Sequence, residues 1–159
     1  MWKEILIDDL NGLQEYSSAF NAMDCSVEYG YNYSADLIRR ILIKKEESHC
    51  YLYKSADRII LRMYKYNKSI DRMEVFHTLD SMQVEEIAKR KDETWDIYRE
   101  FIKIVGERHG KIVRTCKLSD VVVNTFLGTR ETYTKEVILK YKEWGITVYE
   151  LENHWDFEV

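Results

Sequence analysis

Residues 48–78, SHCYLYKSADRIILRMYKYNKSIDRMEVFHT, constrain the fold more than any other stretch: three runs of alternating side chains are separated by two short polar turns. Successive side chains of a strand point to opposite faces, so this pattern reads as a three-stranded antiparallel meander. With Ser55 and Ala56 at the first tip, Leu52 faces Ile59, Cys50 faces Leu61 and Ser48 faces Met63. The opposite side then carries Tyr53 against Arg58, Tyr51 against Ile60 and His49 against Arg62. A second turn at residues 67–69 pairs Tyr66 with Ile70, Lys65 with Asp71, Met63 with Met73 and Arg62 with Glu74. A one-residue slip would mix the two sets, so face membership is strongly specified.

The two faces differ in chemistry. Cys50, Leu52, Ile59, Leu61, Met63, Met73 and Val75 form an aliphatic face suited to a core. The other combines tyrosines and arginines, with Tyr51, Tyr53, Arg58, Arg62, Tyr64 and Arg72 as its candidate binding residues. Tyr and Arg are enriched where proteins bind proteins, so this face is the expected docking surface, for another protein or for a second copy of the chain. Aromatic rings interleaved with arginine also suit single-stranded nucleic acid, which stacks its bases on such rings. The chain is acidic, with 28 Asp and Glu against 24 Lys and Arg, and a nucleic-acid partner therefore ranks second.

Beyond the meander, residues 2–22 favour an amphipathic helix, with a strand at residues 3–7 as the competing reading. Residues 25–33 alternate as a strand, and residues 34–47 lean towards helix. Residues 81–108 read as one long helix stopped by Gly110, with Trp95, Ile102 and Val105 on its apolar stripe. A strand at 112–118, a helix at 120–127 capped by Ser119 and ended by Gly128, a helix at 130–144 and a strand at 146–151 follow. In the second of these helices Val137, Ile138, Tyr141 and Trp144 are expected inward. The expected fold class is α+β: a mainly antiparallel mixed sheet containing the meander, with helices on at least one face. With 159 residues, no proline and little glycine, residues 1–159 read as a single globular domain.

No motif marks an enzyme. GxxxxGK[ST] and GxGxxG phosphate loops are absent, and the histidines form no HxH or HxxxH pair. In the C-terminal stretch ELENHWDFEV, Glu152, His154 and Asp156 fall on one face if the stretch is a single strand, a weak candidate metal row. No cofactor is expected. Three cysteines without close spacing imply reduced thiols and a cytoplasmic chain, and no apolar run approaches a membrane span. The functional expectation is a small non-enzymatic binder, a stoichiometric inhibitor of the immunity or phage counter-defence type. The alternatives are a single-stranded nucleic-acid binder using the same face, and an enzyme whose site is assembled from scattered residues.

Overall fold

In the computed structural model, residues 1–6, 11, 14, 15, 17, 18 and 48–159 are described. The strand expected at 25–33 and the helix expected at 34–47 lie outside them. The fold is α+β, with β1 (Trp2–Ile5), β2 (His49–Lys54), β3 (Ile59–Asn67), β4 (Arg72–Asp80), β5 (Val113–Cys116), β6 (Thr147–Glu150) and β7 (His154–Glu158) in one sheet. The spatial order is β1-β2-β3-β4-β5-β7-β6. The helices are α1 (Val84–Lys89), α2 (Lys91–His109), α3 (Asp120–Val122) and α4 (Arg130–Lys142), with a π-helical turn at Val123–Leu127. Residues 1–65 with 76–82 form one compact unit, and residues 66–75 with 83–159 form a second.

In the first unit the competing reading of the N-terminus holds: Trp2–Ile5 is a strand, antiparallel to β2. The meander is present with its faces as expected, but both registers move. Cys50 pairs with Met63, Leu52 with Leu61, Tyr51 with Arg62 and Tyr53 with Ile60, a shift of two residues. The cause is a turn set one residue further along: Ser55 N–H donates to Arg58 C=O at 2.8 Å, which puts Ala56 and Asp57 at the tip instead of Ser55 and Ala56. Ser81 N–H donates to Ile59 C=O at 2.9 Å and Arg62 Nε donates to Thr78 Oγ1 at 3.1 Å. Arg62 thus sits beside Thr78, not Glu74. An even-numbered shift preserves side-chain parity, and so the faces survive while the partners change.

The second unit shows why the other turn lengthens. Asn67 Oδ1 accepts from Ser69 N–H at 3.0 Å, and Asp71 takes a left-handed conformation, φ 52°. Both are devices that Asn and Asp bring to turns. Asp71 then binds Lys111 Nζ at 2.8 Å and the Tyr66 hydroxyl, while Glu74 accepts from Asn67 Nδ2 at 3.2 Å.

The single helix expected at 81–108 is two. Arg90, at φ −120° and ψ 43°, ends α1 and precedes α2. Gly110 does stop α2, at φ 60°, with its N–H donating to Gly106 C=O. α2 packs on β5 and β7 and α4 packs on β6. Trp95, Ile97, Phe101, Ile102 and Val105 are buried, and full burial of such side chains stabilises by about 1.5–3 kcal/mol each. Aromatic rings link the layers, with Trp95 edge-on to Tyr141 and Tyr141 stacked on Phe157 at 4.3 Å. Ile138 and Trp144, expected inward, are exposed; Trp144 lies over the buried Arg99 guanidinium at 4.5 Å. Arg99 also donates to Lys140 C=O at 2.7 Å, which satisfies a carbonyl in the last turn of α4.

β5 and β6 run in the same direction, as expected for strands joined by a helical crossover, but β7 lies between them and pairs antiparallel with both. The neighbouring parallel pair is β4 and β5.

Candidate functional site

Of the six residues expected to form a docking face, four are buried in the chain's own fold. Arg58 and Tyr64 are 0% exposed, and Tyr51 and Arg62 are nearly as enclosed. Tyr64 stacks on His49 at 5.0 Å and on Tyr51 at 5.9 Å. Arg58 forms a bidentate pair with Asp80, Nε to Oδ1 at 3.1 Å and Nη2 to Oδ2 at 2.7 Å. Tyr53 is half-buried and packs on Trp2 at 5.8 Å. These five belong to the first unit. In this conformation the Tyr51 and Tyr64 rings are not open to a stacking base, nor are the Arg58 and Arg62 guanidiniums open to a partner.

Arg72 belongs to the second unit, in a cluster that sequence reading missed. Asp156, buried on β7, accepts from Arg72 Nε at 2.9 Å and from Arg114 Nε and Nη2 at 2.8 and 3.0 Å. Arg114 lies directly opposite Asp156 across β5 and β7. Burial pushes the Asp156 carboxyl up, but hydrogen bonds from Arg114 and Arg72 outweigh burial and hold it below the ordinary carboxylate range. A carboxyl lowered by folding contributes stability above its unfolded pKa of about 3.9, and that stability is lost as pH falls through the folded value. Chemical denaturation at pH 7 and pH 3 should therefore show a smaller acid loss in Asp156→Asn than in the parent chain. Equal losses would mean that the clamp does not couple to folding.

This cluster also decides the metal row. The C-terminal stretch is a hairpin, not one strand: Leu151 N–H donates to His154 C=O at 3.0 Å, and Glu152 lies in the turn between β6 and β7. Asp156 is held by two guanidiniums. Among the described residues, no group of three His, Cys, Asp or Glu side chains could hold a metal ion. Nor does a catalytic cluster line the open groove at the break between α1 and α2. Its lining, residues 88–93, is local, with Arg90 paired to Glu93 and Lys91 to Glu136.

Three exposed apolar side chains lie on the segment between β5 and α4; Ile138, Leu139 and Trp144, on and just after α4, are also exposed. Leu118 is 38% exposed, Val121 75% and Phe126 41%, while Val123 and Leu127 anchor the turn from below. Sequence reading placed a plain helix here, with Ser119 as its cap. Ser119 Oγ does accept from Val122 N–H at 3.3 Å, but α3 gives way after three residues to the π-helical turn. The turn is braced at both ends. Arg130 Nε donates to Asp120 Oδ1 at 2.8 Å, and Arg130 Nη2 donates to Leu118 C=O. Gly128, at φ 102° and ψ −129°, occupies a region that side chains exclude, and Thr129 and Thr132 then close a reciprocal cap on α4. The signal available in the sequence was the run SDVVVNTFLG, with more apolar residues than one helix face can bury.

Comparison with protein-family models, with curated proteins and with solved structures finds no match.

Proposed function

We propose that this chain acts stoichiometrically by binding another protein, and that it presents the braced turn at residues 118–127 to that partner. The observation that carries this reading is the combination of apolar exposure with side-chain hydrogen-bond bracing in one short segment. Single exposed apolar residues are ordinary, but a cluster of them marks interaction sites. Holding the cluster in one conformation before binding lowers the ordering cost that association must overcome. A stoichiometric inhibitor of the immunity or phage counter-defence kind is one form such a binder takes, supported only by small size and acidity. The Tyr/Arg face is the weaker candidate surface, because only Tyr53 and Arg72 among its six residues keep partial exposure. Among the described residues, no helix is long and apolar enough to cross a membrane.

A photo-crosslinking residue at position 121 in native cells, with exposed position 107 on α2 as the control, tests the reading. A discrete partner captured from 121 and not from 107 is expected. With that partner purified, Val121→Asp should weaken binding at least about tenfold, equivalent to about 1.4 kcal/mol, without moving the unfolding midpoint. Unaltered affinity in Val121→Asp and in Phe126→Ala would remove this surface from consideration.

A further inference from the structure

β6 ends the sheet order, and among the described residues no strand lies on its outer side. Leu151 N–H donates to His154 C=O at 3.0 Å, which fixes the hydrogen-bond alternation along the hairpin. Residues 147, 149 and 151 turn their main-chain groups towards β7, so Val148 and Glu150 turn theirs outward. Such an edge is a template for another strand, and natural edges are commonly guarded by lysine, proline or a bulge. Thr147–Glu150 carries neither lysine nor proline, and its register with β7 runs without a bulge. Its one charge is drawn inward: Glu150 Oε2 accepts from Thr134 Oγ1 at 2.9 Å and pairs with Lys117 Nζ at 3.1 Å. Apolar side chains flank the edge on both faces. Tyr149 and Leu151, 47% and 38% exposed, lie on the face away from α4. Ile138, 39% exposed, lies one helical turn beyond Thr134 on the other.

We propose that β6 pairs antiparallel with β6 of a second copy of the chain, about a two-fold axis at Tyr149, joining two sheets into one. A two-fold interface sets one patch against itself, and this edge is self-complementary in that register. Val148 and Glu150 of each copy exchange main-chain hydrogen bonds with Glu150 and Val148 of the other. The two Tyr149 side chains meet as a non-hydrogen-bonded pair, with Cβ atoms about 4.5–5.5 Å apart, and each Thr147 faces a Leu151. No charge opposes its like. The neighbouring registers are blocked. An axis at Val148 would need Ile146 N–H, which already donates to Tyr141 C=O at 3.1 Å. An axis at Glu150 would set two carboxylates directly opposite each other, which destabilises a strand pair. β6 is four residues long, so the interface is below standard size and association is reversible, with Kd on the order of 100 μM. The pairing uses no residue of the turn at 118–127 and does not depend on that turn binding a protein.

Sedimentation equilibrium of the full chain from about 1 μM to about 1 mM should show monomer passing to dimer. Val148→Pro removes an outward N–H that β7 does not use, and Tyr149→Lys sets two ammonium groups at the axis. Each should weaken the dimer at least about tenfold with an unchanged circular-dichroism spectrum, while Val121→Asp should leave it unaltered. Amide exchange reads the register. Raising the concentration should slow Val148 and Glu150 N–H and leave Tyr149 N–H, which faces β7, as it was. A parent chain that stays monomeric at about 1 mM overturns the proposal and leaves the edge to a foreign strand. A folded Tyr149→Lys chain that dimerises with parent affinity overturns it too, and that comparison needs no proline variant to fold. Loss of the dimer in Val121→Asp alone would move self-association to the turn and overturn it equally.

Discussion

Asp80→Ala is expected to cost about 3–5 kcal/mol, a large part of the 5–15 kcal/mol that holds a typical domain together. Arg58 is fully enclosed and Asp80 nearly so, and their pairing is bidentate at 3.1 and 2.7 Å. Asp80 Oδ1 also accepts from Met82 N–H at 2.9 Å, which ties the end of β4 to the same carboxylate. Removing the carboxylate takes a bidentate counter-charge from a buried guanidinium, and this compensation for its desolvation on folding is lost. The double variant Arg58→Met/Asp80→Leu removes both charges and should recover most of the loss, because desolvation of the pair disappears with its attraction. Urea unfolding of the single and double variants checks both statements. If Asp80→Ala cost under about 1 kcal/mol, the pair would behave as an exposed one.

Arg58 also shows where sequence reading stops. Alternation placed it opposite Tyr53 as a surface cation, because nothing local announces that Asp80, 22 residues later, reaches the same spot. Strand pairing across turns of unknown position and length is non-local information: the first turn sits one residue further along than expected, and the second is longer. What survives a two-residue error is parity, which is why the aliphatic and aromatic sets of the meander were legible while their partners were not. The second miss has a different origin. Residues 150–158 alternate, and residues 146–158 hold neither glycine nor proline, so Asn153 alone marks the hairpin between β6 and β7. The row of Glu152, His154 and Asp156 dissolves with it. The break at Arg90, in contrast, was written in charge. Lys89 closes one helix, Asp92 and Glu93 open the next, and that order is what two successive helix dipoles favour.

The candidate face was legible as a set of residues but not as buried or exposed, since Tyr and Arg suit an interface and an amphipathic interior alike. Mutation separates these roles. Tyr64→Ala should destabilise the chain by about 3–5 kcal/mol, the range for emptying a large aromatic from a core. The ring is 0% exposed and stacks against both His49 and Tyr51, so its removal leaves a void that rigid β2 cannot close. Tyr53→Ala, on the same face two strand positions beyond Tyr51, should cost only about 1 kcal/mol, because its ring is half solvated and loses chiefly its contact with Trp2. Tyr64→Phe isolates the hydroxyl and should cost less than half as much as Tyr64→Ala. Thermal and urea midpoints of the three variants give the order directly. If Tyr53→Ala and Tyr64→Ala instead left stability equal, the packing around Tyr64 would be too loose for a core, and the six-residue face would regain its standing as an open surface. The expected order places Tyr64 inside the fold, where any loss of partner binding on its mutation is a consequence of unfolding.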